Sequence, residues 1–457
     1  MVCEEHGARR ELVLPAAGAC ANLNREHTNI GPSNCLDLSN LMIRAAALLA
    51  VIVAPVAARA ADCTITIGVI FELTGTTGEY GQAAAKSVEM ALRDLNDAGG
   101  VRGCRLVTDT MDSQGQPTVA VDAANQLVQL KKVPVLIGSI VSATTIPILT
   151  SVTGPARIVQ MSPAASSPKL TSLARDGKTN GMFFRMITSD ALQGSAAAKC
   201  ALDHGMRRLA VVYVNNDFGA GLYGEFARAF KALGGVIVAS VPYQERQASY
   251  GSEVTAALDA SADGLYLIST PVDGAAIARA WISQGGPRRF LLNDGMNSAA
   301  FISSVGPKYL NDAYGTSSGT NPTASTRYFQ DQYPAFAHID PNSPAADRAY
   351  DAGAIIGLAL AAAGSTQSAA IRAAIYRVTD PRGTVIHAGK DEFSRGLELL
   401  REGKPIRYEG VIGPVSFDAS GDISGPFRLW KITGGVVTTI GEMSADDVSA
   451  VKQRIGG

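Results

Sequence analysis

Residues 64–100 read TITIGVIFELTGTTGEYGQAAAKSVEMALRDLNDAGG, and this stretch decides the fold. TITIGVI is a run of β-branched and apolar residues that predicts a strand. An amphipathic helix follows from about Tyr80 to Asp97, stopped by Gly99-Gly100. The same alternation continues: strand RLVTDT (105–110), a helix opening near Pro117, strand VPVLIG (133–138), a short helix from Ser142 and strand RIVQM (157–161). Strands alternating with helices imply βαβ units and a mainly parallel sheet.

A second series begins after Phe183-Phe184-Arg185. It has a helix to His204, strand RLAVVYV, a helix from Gly219 to Leu233 and strand VIVASV. A helix near Ser252, strand GLYLIS, a helix over Ala275–Ser283 and strand RFLLN complete it. Two such runs predict two α/β lobes of like, doubly wound topology. Beyond Ala313 the helices become consecutive, over about 325–336, 345–362, 367–377 and 390–402. Strands near GPVSF, FRLWKIT and VVTTIG follow, with a charged terminal helix. A return to sheet after a helical stretch predicts that the chain crosses between lobes more than once.

Upstream, residues 42–62 read MIRAAALLAVIVAPVAARAAD. A positive start at Arg44, an apolar run over 45–58 and the small-residue pattern Ala58-Arg59-Ala60 make residues 42–60 a secretory signal, with Ala61 first in the mature chain. The run falls short of the roughly twenty residues a membrane span needs. Cys63 follows Asp62, without the small residue that lipid attachment needs. Residues 1–41 stand in front of a signal that works at an N-terminus, so Met42 is expected to be the true start and 1–41 untranslated or disordered.

The mature chain, of roughly 395 residues, is long enough for two lobes. A net charge of −1 carries no electrostatic footprint for nucleic acid or an anionic membrane. Cys63 and Cys104 each precede a predicted strand, so a bridge between them fits if those strands are parallel neighbours in an oxidising compartment. Cys200 reads as a buried free thiol. His204, His338 and His387 are widely spaced and no paired-cysteine motif occurs, so neither a metal nor a cofactor is expected.

Two catalytic-looking patterns carry little weight. Gly219-Ala220-Gly221-Leu222-Tyr223-Gly224 matches G-x-G-x-x-G, but Asn215–Phe218 intervene between strand and first glycine. Gly315-Thr316-Ser317-Ser318-Gly319 matches the nucleophile elbow G-x-S-x-G, but Asn321-Pro322 stands where the elbow needs a helix. A loop or interlobe crossing is expected at Ser317 instead, and no enzyme.

The segments that read as a binding site are Gly138–Thr144 and Ser162-Pro163-Ala164-Ala165-Ser166, both at C-terminal strand ends, where open α/β sheets take ligands. Free amides at a helix start, with hydroxyls beside them, suit a carboxylate. Ordinary helix capping by Ser142 and Ser166 is the competing account of each.

Taken with FFRMITSDALQG (183–194), VVYVNNDFGAGL (211–222) and GPVSFDASGDISG (413–425), these segments resemble the branched-chain amino-acid-binding proteins, the type I periplasmic solute-binding family of ABC importers. The resemblance covers nearly the whole mature chain. It implies a three-crossing hinge, with 61–185 plus about 317–408 forming the N-terminal lobe and about 186–316 plus 409–457 the C-terminal lobe. It also implies that Ser142, Ala164 and Ser166, with Ala165 between them, hold a ligand carboxylate, and that Tyr80 stands at the cleft mouth. On the second lobe Phe218 and Thr270 replace usual tyrosines, and Asp294 is the candidate partner of an α-ammonium. The expected function is capture of a small carboxylate, an amino acid above all, by a periplasmic monomer that delivers it to an inner-membrane ABC permease. An aromatic or aliphatic acid without an amine, a sensory module, and a serine hydrolase using Ser317 are the alternatives.

Overall fold

The computed structural model describes residues 63–259 and 261–454. The signal segment and residues 1–41 lie outside that range. The first sheet is five-stranded and wholly parallel, in the order β2-β1-β3-β4-β5. Its strands are β1 (Thr64–Phe71), β2 (Arg105–Asp112), β3 (Val135–Gly138), β4 (Val159–Ser162) and β5 (Phe183–Arg185). Cys63 and Cys104, immediately before β1 and β2, are disulfide-bonded with Cα atoms 4.5 Å apart. Pairing of β1 with β2 from Thr64 opposite Arg105 brings them together.

The second sheet is seven-stranded, in the order β15-β14-β10-β9-β8-β6-β7. Strands β6 (Arg208–Val214), β7 (Val236–Tyr243), β8 (Gly264–Ile268), β9 (Phe290–Leu292) and β10 (Ala313–Ser318) run parallel. The late strands β14 (Phe427–Thr433) and β15 (Val436–Met443) add to the β10 edge antiparallel. Between β10 and β14 the chain goes back to the first lobe. Phe329, Tyr350, Phe393, Tyr408, Phe417 and Ile423 share one buried core with Ile67, Val88, Ile137 and Phe184. That excursion holds a small sheet of β11 (Thr384–Ile386), β12 (Ile406–Gly410) and β13 (Gly413–Pro414). The strand expected over GPVSF is therefore only Gly413–Pro414, because the pairing partner of β11 is the segment just before it.

Helix α1 (Gly78–Asp97) is the long helix of the opening stretch, and it buries Tyr80, Ala84, Val88, Ala91 and Leu95. These are the core-facing positions of a 3.6-residue period. Short helices α2 (Ser142–Ile148) and α3 (Pro168–Arg175) start from the ends of β3 and β4. Helix α4 (Asp190–Asp203) leads into the second lobe, α5 (Asp217–Ala232) follows β6, and α6 (Ala346–Ala363) packs against α1 from the excursion. Cys200 is free and buried on α4. No single helix among the described residues is long and apolar enough to cross a membrane.

A buried arginine fixes the first crossing. Arg185, at the end of β5, is wholly buried and donates to Asp422 Oδ1 at 2.7 Å, to Thr171 Oγ1 at 2.7 Å, and to the carbonyls of Ala165 and Ser167 at 3.3 and 3.1 Å. A buried ion pair stands only when its remaining donors are also satisfied, and here they are satisfied by the loop after β4.

Candidate functional site

A cavity of about 460 Å³ opens at the C-terminal ends of the parallel strands of the two sheets. Tyr80, Ser142, Ala164, Ser166, Phe218, Thr270 and Asp294 all line it. Ala165 does not. It is wholly buried, with its amide on Ser162 Oγ at 2.9 Å and its carbonyl on Arg185, so it lies behind the wall.

Neither serine caps its helix. The N-cap of α2 is Val141, and that of α3 is Ser167, whose side chain accepts from Lys169 N–H. Ser142 Oγ instead accepts the Ser167 amide at 3.1 Å, which leaves its own proton free to donate. Ser166 Oγ bonds Asp190 Oδ2 at 2.8 Å. Burial pushes the Asp190 carboxyl well above the usual carboxylate range, and the charge of Asp294 pushes it the same way. Its Oδ1 has no partner among the described residues.

The loop that carries Ser142 is held from below by Glu72, which is wholly buried at the end of β1. It accepts from Thr144 Oγ1 at 2.6 Å, from the Ile140 amide at 3.2 Å and from the Ser139 hydroxyl. Burial raises its pKa against the pull of those hydrogen bonds.

Across the cleft, Phe218 sits in the first turn of α5, whose N-cap Asn216 accepts the Phe218 and Gly219 amides at 3.1 and 3.0 Å. The Thr270 hydroxyl is buried without a partner among the described residues. Asp294 starts a short 3-10 turn after β9, and its Oδ1 accepts the Gly295 amide at 2.9 Å. Its described hydrogen-bond partners are its neighbours Asn293 and Gly295, neither of them cationic, so a half-buried carboxylate faces the cavity. The wall thus offers the free Ser142 hydroxyl on one side and a negative charge on the other, which complements a zwitterion.

The lobes touch across this cleft. Tyr80 Oη donates to the Gly295 carbonyl at 2.5 Å, Ser167 Oγ to the Asp217 carbonyl at 2.8 Å, and Lys169 pairs with the Asp217 carboxylate at 2.8 Å. Arg246 on the second lobe reaches the carbonyl of Gln114 on the first.

The hinge end of the cavity is lined by Ser317, Ser318, Thr320, Arg348, Arg428 and Trp430; Ser317 was singled out from sequence only as a nucleophile of the rival reading, and the other five were not expected. For Arg428 and Trp430 the signal was present, because alternate residues of FRLWKIT share a face of one strand. For Glu72, Arg185 and Arg348 no local pattern marks them. Ser317 lies within β10 rather than in the loop or crossing expected there, and its Oγ accepts the Trp430 indole N–H at 2.8 Å. His387 lies next to β11, with its amide on Glu392 at 3.0 Å, and no described hydrogen bond joins it to Ser317. The nucleophile elbow has no geometric footing. Among the described residues, no cluster of metal-ligating side chains converges.

A family model described as "Periplasmic binding protein" matches residues 64–433. A substrate-binding protein of a chemotactic signal transduction system in Halobacterium salinarum, BasB, is 26% identical over 384 residues, covering 82% of this chain and 88% of the relative. Leu/Ile/Val-binding protein homolog 3 of Brucella melitensis is 26% identical over 385 residues, 83% of this chain and 94% of that one. Among solved structures, the leucine-binding protein LivK of Thermotoga maritima superposes with TM-score 0.71 at 20% identity, over 84% of this chain and all of the other. A solute-binding protein of an ABC transporter from R. palustris, solved in complex with benzoate, gives 0.66 at 18% identity, over 83% and 96% of the two chains.

Proposed function

The chain belongs to the periplasmic binding protein family, and from that premise we propose that it captures a small carboxylate, an amino acid above all, and hands it to an ABC permease of the inner membrane. The observation that carries the reading is the freedom of the two serines from helix capping on the cavity wall. Ser142 offers its proton to one carboxylate oxygen. Ser166 Oγ donates to Asp190 Oδ2, which holds the hydroxyl oxygen on the wall beside the second carboxylate oxygen, where the neighbouring amides complete the contact. Asp294 takes the ammonium, with Phe218 and Tyr80 against the side chain. Closure about the three crossings encloses the ligand, and Tyr80 is the bolt on that closure through the Gly295 carbonyl. In this reading residues 42–60 direct export, Met42 is the start, and the mature protein acts as a free monomer in the periplasm. Residues 63–185 and about 319–425 form one lobe, and about 186–318 and 426–454 the other; the crossing expected at 408 moves past Ile423, which packs in the first core, and Ser317 stays with β10.

The benzoate complex of one neighbour favours a second reading of the same site, an aromatic acid without an amine. The chemotactic role in the name of one relative favours a third, ligand sensing. A thermal-shift screen against amino acids and aryl carboxylates separates the first two, since a ligand that binds only the folded state raises its stability by mass action. Amino acids should raise the midpoint, and Ser142→Ala or Ser166→Ala should abolish the rise. A rise that survives both substitutions refutes the carboxylate assignment, and a response to benzoate without one to amino acids removes the role of Asp294.

A further inference from the structure

The hinge end of the cavity is chemically one-sided. Ser317 Oγ spends a lone pair on the Trp430 indole, and Thr320 Oγ1 accepts from the Arg428 guanidinium, so both hydroxyls keep a proton to give. Arg348 donates to Asp347 through one nitrogen and to the Ser318 carbonyl at 3.0 Å through another. Its Nε is buried with no partner among the described residues. The Thr320 hydroxyl is the one described hydrogen-bond partner of Arg428. Glu442 stands opposite Arg428 on β15 but forms no described ion pair with it. Asp294 and Asp347 are the acids lining the cavity, and Asp347 is engaged by Arg348. Four groups therefore converge on this end with protons to donate, and one of them is a cation with no described counter-charge.

We infer that this end is a second anion subsite, and that the preferred ligand is a diacid whose distal carboxylate is held by Arg428, Ser317 and Thr320. The inference rests on the carboxylate-capture reading and narrows its ligand class. One uncompensated cation matches a singly charged carboxylate better than a doubly charged phosphate. The register sets the length. Ser317 pairs with Arg428 across β10 and β14, and β10 is the neighbour of β9, whose end carries Asp294. Two strand spacings put about 10 Å between those backbones. The long arginine side chain covers part of that distance, so the ligand must extend well beyond a leucine side chain to reach the second subsite.

Titration calorimetry of the full chain with leucine, benzoate, glutamate, 2-aminoadipate and 2-aminopimelate tests this. The longer diacids should bind at least tenfold more tightly than leucine. Arg428→Gln should cut that preference at least tenfold, with Arg428→Lys retaining part of it. Melting of each variant without ligand establishes that it folds. The subsite is refuted if monoacids bind as tightly as diacids, or if Arg428→Gln weakens both classes alike. If neither class binds, the capture reading itself fails and takes the subsite with it, an outcome distinct from a preference for monoacids.

Discussion

Asp351 on α6 is wholly buried, accepting from Tyr408 Oη at 2.7 Å and from the Val411 and Ile412 amides at 2.8 and 2.9 Å. Burial outweighs these hydrogen bonds and raises its pKa from 3.8 to about 7. The native state therefore holds this proton more tightly than the unfolded chain does. Its stabilising contribution is complete below about pH 4 and is lost as pH rises through about 7. The full difference is about 4 kcal/mol at 1.36 kcal/mol per tenfold in proton affinity, of which about 2.5 kcal/mol falls between pH 5 and pH 8. Asp351→Asn fixes the neutral form. The gap in unfolding free energy between the two proteins should thus move by about 2.5 kcal/mol in favour of the variant from pH 5 to pH 8. Other buried acids with raised pKa, such as Glu72 and Asp190, cancel in that comparison. Urea unfolding read by far-ultraviolet circular dichroism is the assay, because both tryptophans, Trp281 and Trp430, belong to the core of the second lobe. Parallel profiles for the two proteins would mean that the amides and the tyrosine hold the carboxylate ionised, and the reasoning fails.

Tyr80→Phe removes the bond to the Gly295 carbonyl, whose net worth is about 1 kcal/mol, so the dissociation constant of a ligand should rise about fivefold in calorimetry. Glu72→Ala leaves the buried Ile140 amide without an acceptor and should cost about 2–4 kcal/mol in denaturant unfolding, with ligand affinity falling as the Ser142 loop loosens. Replacing Cys63 and Cys104 with serine releases a 41-residue loop, worth about 4 kcal/mol in the chain-entropy account, and should lower the unfolding free energy measured in urea by that amount. Burial pushes the Cys200 thiol up to about 12, so mass spectrometry at pH 8 should find it unalkylated in the native protein and alkylated after unfolding.

The alternation of strand and helix was legible because each element carries its own period. TITIGVI became β1, and the helix expected from Tyr80 begins at Gly78, two residues earlier. The wall residues at strand ends were legible for the same local reason, since Ser142 and Ser166 follow directly from recognisable strands. Glu72 and Arg185 were not legible. Each sits within or beside an apolar strand and acquires meaning only from loops 68 residues away in one case and 237 in the other, at Ile140 and Asp422. Arg428 was legible only in part, since alternation along FRLWKIT sets its face of the strand but not what that face meets. Its place at the cavity depends on β14 joining the β10 edge, a pairing across more than a hundred residues that no window of sequence contains.

The excursion between β10 and β14 also sets an order of events for the nascent chain. Val88 and Leu95 on α1 are synthesised early, but the residues that cover them from α6 emerge more than two hundred and fifty positions later. Residues 64–185 alone hold a sheet with part of its core missing, so the first lobe cannot close while the chain is being made. Contacts of such long range form slowly, since the intervening loop must be closed before they stabilise anything. The second lobe, contiguous from β6 to β10, can collapse first. A chain threaded in this way completes its first lobe only after the excursion from β10 to β14 has been made, although that lobe's sheet is the first part synthesised.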